Sequence, residues 1–299
     1  MKFLIYGGKG WIGQQVCNFL KTNQDITIIH GKSRIDNEIE TEEEIIKIQP
    51  DRIITLTGRT YGPGYNTIDY LEQKGKLVEN LRDNLYGPLV LAFIAKKYNI
   101  HLTYLGTGCI FSGYKTSVDT SDTTSDMSGY IESDKPDFFG SSYSVVKGFT
   151  DRIMHFMDDS VLNLRIRMPI TADVHSRNFI TKIMTYKKIC SIPNSMTVLP
   201  ELIPIMIDMV QKKMTGTINL TNPGLISHNE ILEMVKEIID PNFKWENFTL
   251  EEQREILLAD RSNNLLNTNK LVHLYPNILP IKESVRKILI EMRQNIKKI

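Results

Sequence analysis

Short apolar runs alternate with segments of helical periodicity over the first 166 residues. The apolar runs have the length of strands, and each is followed by a segment with apolar residues three or four positions apart. This alternation predicts an α/β fold with a doubly wound parallel sheet. The predicted strands are 2–6, 26–29, 52–56, 101–105 and 161–166, and the predicted helices are 11–21, 42–49 and 67–98, the last with a break at Gly87-Pro88.

The pattern changes after residue 168. Helices are predicted over 177–186, 203–210 and 281–299, and a strand over 217–220. Ser227 and Glu230 form a capping-box pattern that opens a further helix to residue 239. We therefore predict a cofactor domain at 1–168, with 198–221 returning to it, and a smaller, closely packed C-terminal α/β substrate domain at 169–299. The substrate is expected between the two.

A glycine motif follows the first predicted strand directly and leads into the first predicted helix. It reads Gly7-Gly-Lys-Gly10-Trp-Ile-Gly13. In this context glycines permit a tight turn and close approach of a pyrophosphate to the helix N-terminus, which is the signature of a Rossmann-type dinucleotide site. The predicted cofactor-binding residues here are Gly7, Gly10, Trp11, Ile12 and Gly13, together with Thr57 and Gly58 after the third strand.

The residues after the second strand indicate which cofactor is bound. An NAD site usually has an acidic residue about 20 residues after the glycines, for the ribose hydroxyls. Here the chain reads His30-Gly-Lys32-Ser33-Arg34, with two cations and a hydroxyl instead of an acid. Lys32, Ser33 and Arg34 suit a 2′-phosphate, so NADPH is the predicted cofactor. The alternative is a solvated basic loop.

Composition and charge exclude several classes of protein. The chain has 36 basic and 35 acidic residues, so no strong field for nucleic acid or an anionic membrane is expected. No apolar run has the length of a membrane span, and the N-terminus does not resemble a signal peptide. Three widely spaced cysteines predict neither a disulfide framework nor a metal site. A cytoplasmic protein is expected.

Two pairs of side chains carry the candidate chemistry. Tyr143 and Lys147 lie four residues apart on a predicted helix and therefore share one face. An ammonium beside a phenol lowers the pKa of the phenol, which makes it a better proton donor. Thr107 and Cys109 follow the fourth strand, at the sheet edge where ligands bind in open parallel sheets. A cysteine there is either a reactive thiol or an inert small apolar residue.

The glycine motif, Thr107 and the Tyr143/Lys147 pair resemble the extended short-chain dehydrogenase/reductases. Longer strings resemble, over essentially the whole chain, the bifunctional UDP-4-keto-6-deoxy-glucose 3,5-epimerase/4-reductases that form UDP-rhamnose. The strings begin at Gly10, Thr107, Arg165, Arg177, Ile192, Asn222, Ser227, Asn247 and Arg261, and include Thr107-Gly-Cys-Ile-Phe111, Arg177-Asn-Phe-Ile-Thr-Lys-Ile183 and Arg261-Ser-Asn-Asn264. The loops at 61–67 and 111–134 depart from the family.

The resemblance implies roles for individual residues. Cys109 is the expected base of the epimerisation and Lys182 its partner acid. Tyr143 is expected to protonate the C4 oxygen, and Thr107 to orient the carbonyl. Lys147 is expected to lower the pKa of Tyr143 and to hold the nicotinamide ribose. The expected substrate-binding residues are Asn84, Arg167, Asn178, Arg261 and Asn263. Asn84, within a predicted helix, has the alternative of a satisfied structural amide.

The resemblance also implies partners. A separate 4,6-dehydratase is expected to supply the 4-keto sugar, because the dehydratase module of the plant enzymes is not seen in this sequence. Pairing into a homodimer through helices of the cofactor domain is expected. The alternatives are an enzyme similar to GDP-fucose synthase, a pure reductase similar to the dTDP-4-keto-rhamnose reductases, and an NADP-binding regulatory subunit without activity. The Thr107, Tyr143 and Lys147 set argues against the last.

Overall fold

The strands of the fold are short, and most of them are parallel to their neighbours. The structure is a computed structural model that describes residues 1–116 and 127–296. In this part of the chain the strands are β1 (Lys2–Tyr6), β2 (Thr27–His30), β3 (Arg52–Thr55), β4 (His101–Thr107), β5 (Lys115–Thr116), β6 (Met127–Ser128), β7 (Val161–Ile166), β8 (Pro169–Ile170), β9 (Lys188–Ile189), β10 (Thr197–Val198), β11 (Gly216–Asn219) and β12 (Glu246–Asn247).

A parallel sheet runs through the described residues with the strand order β2-β1-β3-β4-β7-β11. β1 pairs with β2 on one side and with β3 on the other, so the direction of winding reverses between β1 and β3. The chain leaves these two strands in opposite directions, which opens a crevice at their carboxyl ends. The predicted doubly wound α/β fold is confirmed.

The α-helices within the described residues are α1 (Trp11–Leu20), α2 (Glu38–Ile48), α3 (Leu77–Leu81), α4 (Gly87–Lys97), α5 (Ser142–Met154), α6 (Phe179–Thr185), α7 (Leu199–Gln211), α8 (His228–Ile238), α9 (Leu250–Ile256), α10 (Asn269–Leu274) and α11 (Ile281–Ile296). Some of them flank the sheet, whereas α6, α8 and α11 pack on one another. The predicted capping box is present, because Ser227 and Glu230 each bond the other's backbone N–H.

The break predicted at Gly87-Pro88 is wrong. A π-helical segment over Arg82–Tyr86 leads directly into α4, and Gly87 keeps helical backbone angles. Pro88 lies in the first turn of α4, where a missing N–H is tolerated. Glycine is needed before it, because a Cβ on Gly87 would lie 2.9 Å from the Ile35 side chain.

Two other helices begin earlier than predicted. α2 begins at Glu38 rather than residue 42, because the Asn37 side chain accepts a hydrogen bond from the Glu40 N–H. α7 begins at Leu199 rather than residue 203, with Pro200 in its first turn.

Three large apolar clusters pack the described residues. The first lies on one face of the sheet and combines α1 with α7, where Val16 and Leu20 pack with Met206 and Val210. The second lies on the opposite face and combines strand residues such as Leu4 and Ile53 with α4. The third joins α6, α8 and α11 around Ile183, Val235 and similar side chains. β11 belongs to the main sheet, which places much of 198–221 with the N-terminal part. The proposed domain limits stay a prediction.

The long loop predicted between Tyr114 and Asp137 is only partly described. β5 and β6 pair antiparallel within it, and 117–126 lie outside the described residues, as do 297–299 of the predicted terminal helix. Across the described residues, no helix is both long enough and apolar enough to span a bilayer.

Candidate active site

A cleft of about 680 Å³ opens at the carboxyl ends of β1, β3 and β4. It lies at the reversal point of the sheet and extends towards the residues after β8. Most of the predicted site residues line it, namely Gly7, Gly10, Trp11, Ile12, Gly13, Ser33, Arg34, Thr57, Gly58, Asn84, Thr107, Cys109, Tyr143, Lys147, Arg167 and Lys182. The fold thus brings together chain segments that are far apart in sequence.

The glycine turn fits a dinucleotide pyrophosphate. Gly7 has φ +78°, and a Cβ there would lie 2.8 Å from the Leu56 carbonyl carbon, so the two strand ends meet closely. A Cβ on Gly13 would collide with the Gly7 carbonyl oxygen. The N-terminus of α1 has no side-chain cap and no acidic residue in its first turn, which leaves its N–H groups for an anion.

The loop after β2 is held by Glu44 of α2. This carboxylate accepts hydrogen bonds from the Lys32 N–H (2.8 Å) and from the Ser33 hydroxyl (2.7 Å). Arg34 lines the cleft and pairs with Asp36 at 2.9 Å. Lys32 is exposed and lies off the lining of the cleft. The structure therefore favours Arg34 over Lys32 as a partner for a 2′-phosphate.

Arg34→Ala is expected to weaken NADPH binding about 10- to 100-fold and to leave NADH binding nearly unchanged. The reason is the loss of a charge-assisted hydrogen bond, a contact worth roughly 1.5–3 kcal/mol. Isothermal titration with both cofactors measures this difference. Lys32→Ala should have a smaller effect. A preference for NADPH that survives both substitutions together would contradict the assignment.

Thr107 and Cys109 occupy the turn that ends β4. Thr107 is the last residue of the strand, and its hydroxyl accepts a hydrogen bond of 3.1 Å from the Cys109 N–H. Cys109 is half-buried, whereas Cys17 and Cys190 are buried. The hydroxyl and the thiol therefore face one cleft, as their spacing predicted.

Tyr143 and Lys147 lie on the first two turns of α5, whose N-cap is the Ser141 side chain. Both are buried, with exposed fractions of 9% and 4%. Burial raises the pKa of Tyr143, the charge of Cys109 adds to this, and the hydroxyl of Thr107 opposes it. The pKa lowering expected from Lys147 is thus not seen. Tyr143 remains protonated at neutral pH, as a proton donor must be.

Lys147 contacts a residue that the sequence did not single out. Its ammonium donates a hydrogen bond to the hydroxyl of Tyr104, a buried side chain in the middle of β4. Burial lowers the pKa of Lys147 to about 8, while Asp151 and Cys109 oppose the shift. The only sequence signal for Tyr104 is a hydroxyl-bearing aromatic in an otherwise buried strand. Its partner is set by tertiary packing.

Lys182 projects from α6 into the same cleft. Burial lowers its pKa to about 8, and the positive charges of Arg177 and Arg261 lower it further. At this pKa both the ammonium and the amine are populated near neutral pH, as proton transfer requires. Arg177 also lines the cleft and lies over the Tyr61 ring, 3.1 Å from its centroid. Sequence reasoning did not assign a role to Arg177.

Three of the predicted substrate-binding side chains are engaged within the protein. Arg167 is 1% exposed, and all its guanidinium nitrogens donate hydrogen bonds to the protein. Asn178 caps α6 and donates to the carbonyls of Thr171 and Asp173. Asn84 bonds the backbone of Arg59 in both directions. The geometry favours structural roles for all three, including the alternative considered for Asn84.

Arg261 and Asn263 are not among the residues that line the cleft. Arg261 forms an ion pair with Asp69, which also accepts a hydrogen bond of 3.0 Å from the Ala259 N–H. Asn263 accepts from Asn194 at 2.9 Å and donates to the Arg261 carbonyl. Their contact with substrate stays a prediction. In the described residues, no cluster of three or more His, Cys, Asp or Glu side chains has the geometry of a metal site.

The fold and this cleft define a Rossmann-type enzyme of the reductase/epimerase class. No protein-family model matches the chain. It is 59% identical to protein L780 of Acanthamoeba polyphaga mimivirus, over 98% of this chain and 99% of that protein. The crystal structure of L780, described as a UDP-rhamnose synthase, superposes with a TM-score of 0.92 over 97% of this chain and 99% of that chain.

Two plant relatives are also similar. A bifunctional dTDP-4-dehydrorhamnose 3,5-epimerase/reductase of Arabidopsis thaliana is 41% identical over 97% of this chain and 92% of its own length. A trifunctional UDP-glucose 4,6-dehydratase/3,5-epimerase/reductase of the same plant is 42% identical over 97% of this chain, which spans only 42% of that enzyme. The chain belongs to the family of these rhamnose-forming 3,5-epimerase/4-reductases.

Proposed function

We propose that this chain converts UDP-4-keto-6-deoxy-D-glucose to UDP-L-rhamnose by 3,5-epimerisation and NADPH-dependent reduction of the 4-keto group. The observation that carries the proposal is the presence of two sets of proton-transfer groups in one cleft. Thr107, Tyr143 and Lys147 form a reductase set, and Cys109 and Lys182 form a second acid/base pair. A pure reductase does not need the second pair.

The second pair supplies the chemistry of epimerisation. A 4-keto group acidifies the protons on C3 and C5, so a base can remove one and leave an enolate. Cys109 takes this proton as thiolate, and the ammonium of Lys182 returns a proton to the opposite face. The hydroxyls of Thr107 and Tyr143 stabilise the enolate oxygen by hydrogen bonding. Burial of Tyr143 strengthens such bonds, because the local dielectric constant is low.

The reductase set acts on the same carbonyl. Bound NADPH supplies the hydride for C4. Tyr143 donates its phenolic proton to the C4 oxygen, and Thr107 orients that oxygen. Lys147 lies one turn further along α5 and is proposed to hold the nicotinamide ribose, while its ammonium donates to Tyr104 rather than to Tyr143.

The nucleotide of the substrate is tested by comparing NADPH oxidation with UDP-, dTDP- and GDP-linked 4-keto-6-deoxy sugars. The proposal predicts the highest kcat/KM for the uridine nucleotide. A higher value for the thymidine nucleotide would assign the chain to the chemistry named for the bifunctional plant relative, and a higher value for the guanosine nucleotide would favour the enzyme similar to GDP-fucose synthase. Binding of NADPH without oxidation of NADPH by any of the three substrates would favour a regulatory subunit.

We also propose that the chain forms a homodimer. Phe93 on α4 and Phe149 on α5 are 57% and 58% exposed, although the two helices pack side by side on the sheet. Phe156, just after α5, is 79% exposed. Large apolar side chains on one face typically mark a contact with another chain. Light scattering should give twice the monomer mass, and Phe93→Glu with Phe149→Glu should halve it. A monomeric wild type would contradict the dimer.

A separate 4,6-dehydratase is proposed to act before this enzyme. The substrate already carries a 4-keto group and a 6-deoxy carbon. The acid/base groups of the cleft are those expected for the steps that follow, namely 3,5-epimerisation and reduction of the 4-keto group. UDP-glucose should therefore give no product with this chain alone, and should give product when a 4,6-dehydratase is added.

The reaction is proposed to take place in the cytoplasm, consistent with three cysteines that are all free. A tagged chain that fluorescence microscopy locates outside the cytoplasm would contradict this proposal.

A further inference from the structure

The turn that carries Cys109 is held from outside the cofactor domain. Its carbonyl groups at Gly108 and Phe111 lie on either side of Cys109 in sequence. Both accept hydrogen bonds from the Nδ2 group of Asn264, at 2.8 Å and 3.0 Å respectively. One buried amide therefore joins the two ends of the turn.

Two further side chains hold the same carbonyls. The Gly108 oxygen also accepts from Arg167 Nη1 at 3.0 Å, and the Phe111 oxygen accepts from the Ser262 hydroxyl at 2.6 Å. Asn194 binds both supports, because its Oδ1 accepts from Arg167 Nη2 (2.6 Å) and from the Asn264 N–H (3.0 Å). Asn194 and Asn264 are fully buried. These hydrogen bonds restrain the backbone on both sides of Cys109.

Gly108 shows how closely this support approaches the turn. A Cβ at Gly108 would lie 2.6 Å from the Leu266 side chain and 3.0 Å from Cγ of Arg167. The turn and the C-terminal segment are therefore in direct contact around Cys109. The sequence offered no sign of this, since the acceptors are backbone carbonyls.

The Thr107 hydroxyl accepts a hydrogen bond from the Cys109 N–H, but the backbone segments that carry the reductase set are held by other contacts. Thr107 pairs with Ile166 in the β4–β7 ladder. α5, which carries Tyr143 and Lys147, is anchored by its Ser141 cap and by a 2.7 Å hydrogen bond from Thr150 to the Asn84 carbonyl. None of these contacts involves Asn264. Loosening the network at Asn264 should thus displace Cys109 more than the reductase groups.

We propose that Asn264 is a positioning residue for epimerisation, which acts by fixing the backbone around Cys109 through the Gly108 and Phe111 carbonyls. This inference rests on the proposed function. Misplacement of a catalytic group by about 1 Å can cost about 100-fold in rate. Loss of the Asn264 side chain should therefore slow epimerisation, which needs Cys109, more than reduction, which does not.

The experiment compares two reactions of purified Asn264→Ala. Exchange of C3 and C5 hydrogens is followed by NMR in deuterated water with UDP-4-keto-6-deoxy-glucose. The reductase set is tested separately by oxidation of UDP-rhamnose with NADP⁺, which does not require prior epimerisation. We expect exchange to fall about 10- to 100-fold, with oxidation within threefold of wild type.

Ser195→Ala is the matched control. The Ser195 hydroxyl accepts a 2.9 Å hydrogen bond from the Leu266 N–H, so it supports the same C-terminal segment without touching the turn. A comparable loss in melting temperature with normal exchange is expected. If exchange and oxidation fall by the same factor in Asn264→Ala, or if exchange is unchanged, the inference is overturned. A wild type that shows oxidation but no exchange would instead overturn the epimerase function.

Ser262→Ala keeps the inference testable if Asn264→Ala does not fold. This variant removes one of the donors to the Phe111 carbonyl, together with a hydroxyl that accepts hydrogen bonds from Arg167 Nη1 and Asn264 Nδ2. Exchange lowered threefold or more, with oxidation within twofold of wild type, supports the positioning role. Equal changes in both reactions, or no change in either, overturn it.

Discussion

Cys109→Ala is expected to abolish exchange of the C3 and C5 hydrogens while the protein still binds NADPH. Cys109 is the half-buried thiol at the end of β4, and it lines the cleft beside Thr107. Without it no thiolate is present to remove the proton next to the carbonyl. Loss of a general base costs about 10²- to 10⁴-fold. Exchange is measured by NMR in deuterated water, and NADPH binding by titration calorimetry.

The partner acid predicts the pH dependence of the same reaction. The pKa of Lys182 is lowered to about 8, chiefly by burial. Its ammonium is therefore present below pH 8 and is lost as the pH rises through that value, so exchange should decline on the alkaline side. Lys182→Met should lose exchange at every pH. Exchange at the wild-type rate in Cys109→Ala would contradict the assignment of Cys109 as the base. Exchange in Lys182→Met that still declines on the alkaline side would contradict the assignment of Lys182 as the acid.

Tyr143→Phe is expected to abolish reduction, with a loss of about 10²- to 10⁴-fold in the oxidation of NADPH. The phenol is buried at the N-terminal end of α5, and a hydrogen bond with the Thr107 hydroxyl lowers its pKa against the effect of burial. Phenylalanine keeps the ring and the packing, so the fold should not change. Single-turnover oxidation of NADPH at 340 nm measures the effect.

The control for this variant is the binding of NADPH, which should stay within a few-fold of wild type. The exchange reaction is a second readout. It should be slowed, because Tyr143 also stabilises the enolate, but it should remain measurable, because Thr107 is still present. Reduction by Tyr143→Phe at the wild-type rate would exclude Tyr143 as the proton donor.

Much of the fold was predictable because its signals are local. The strand, glycine motif and helix at the N-terminus follow one another within 20 residues, and each has its own pattern. The early start of α2 was also visible in principle, since Asn37 is a good N-cap residue that stands directly before the helix. Gly87-Pro88 was misread because proline is compatible with a first helical turn.

The support around the site could not be predicted in the same way. Tyr104 meets Lys147, and Asn264 meets Gly108, over sequence separations of 43 and 156 residues. Arg167 was expected to bind substrate, but its hydrogen-bond acceptors inside the protein include the backbone carbonyls of Gly108 and Ser262. A backbone carbonyl has no sequence signature, so only the tertiary structure reveals such partners.

The most direct test of the bifunctional enzyme is one reaction in deuterated water with UDP-4-keto-6-deoxy-glucose, NADPH and the wild-type chain. We predict stoichiometric oxidation of NADPH and a UDP-rhamnose product that carries deuterium at both C3 and C5. Oxidation that gives an unlabelled product would contradict the account, because Cys109 and Lys182 would then have no part in the reaction and the cleft would contain only a 4-keto reductase.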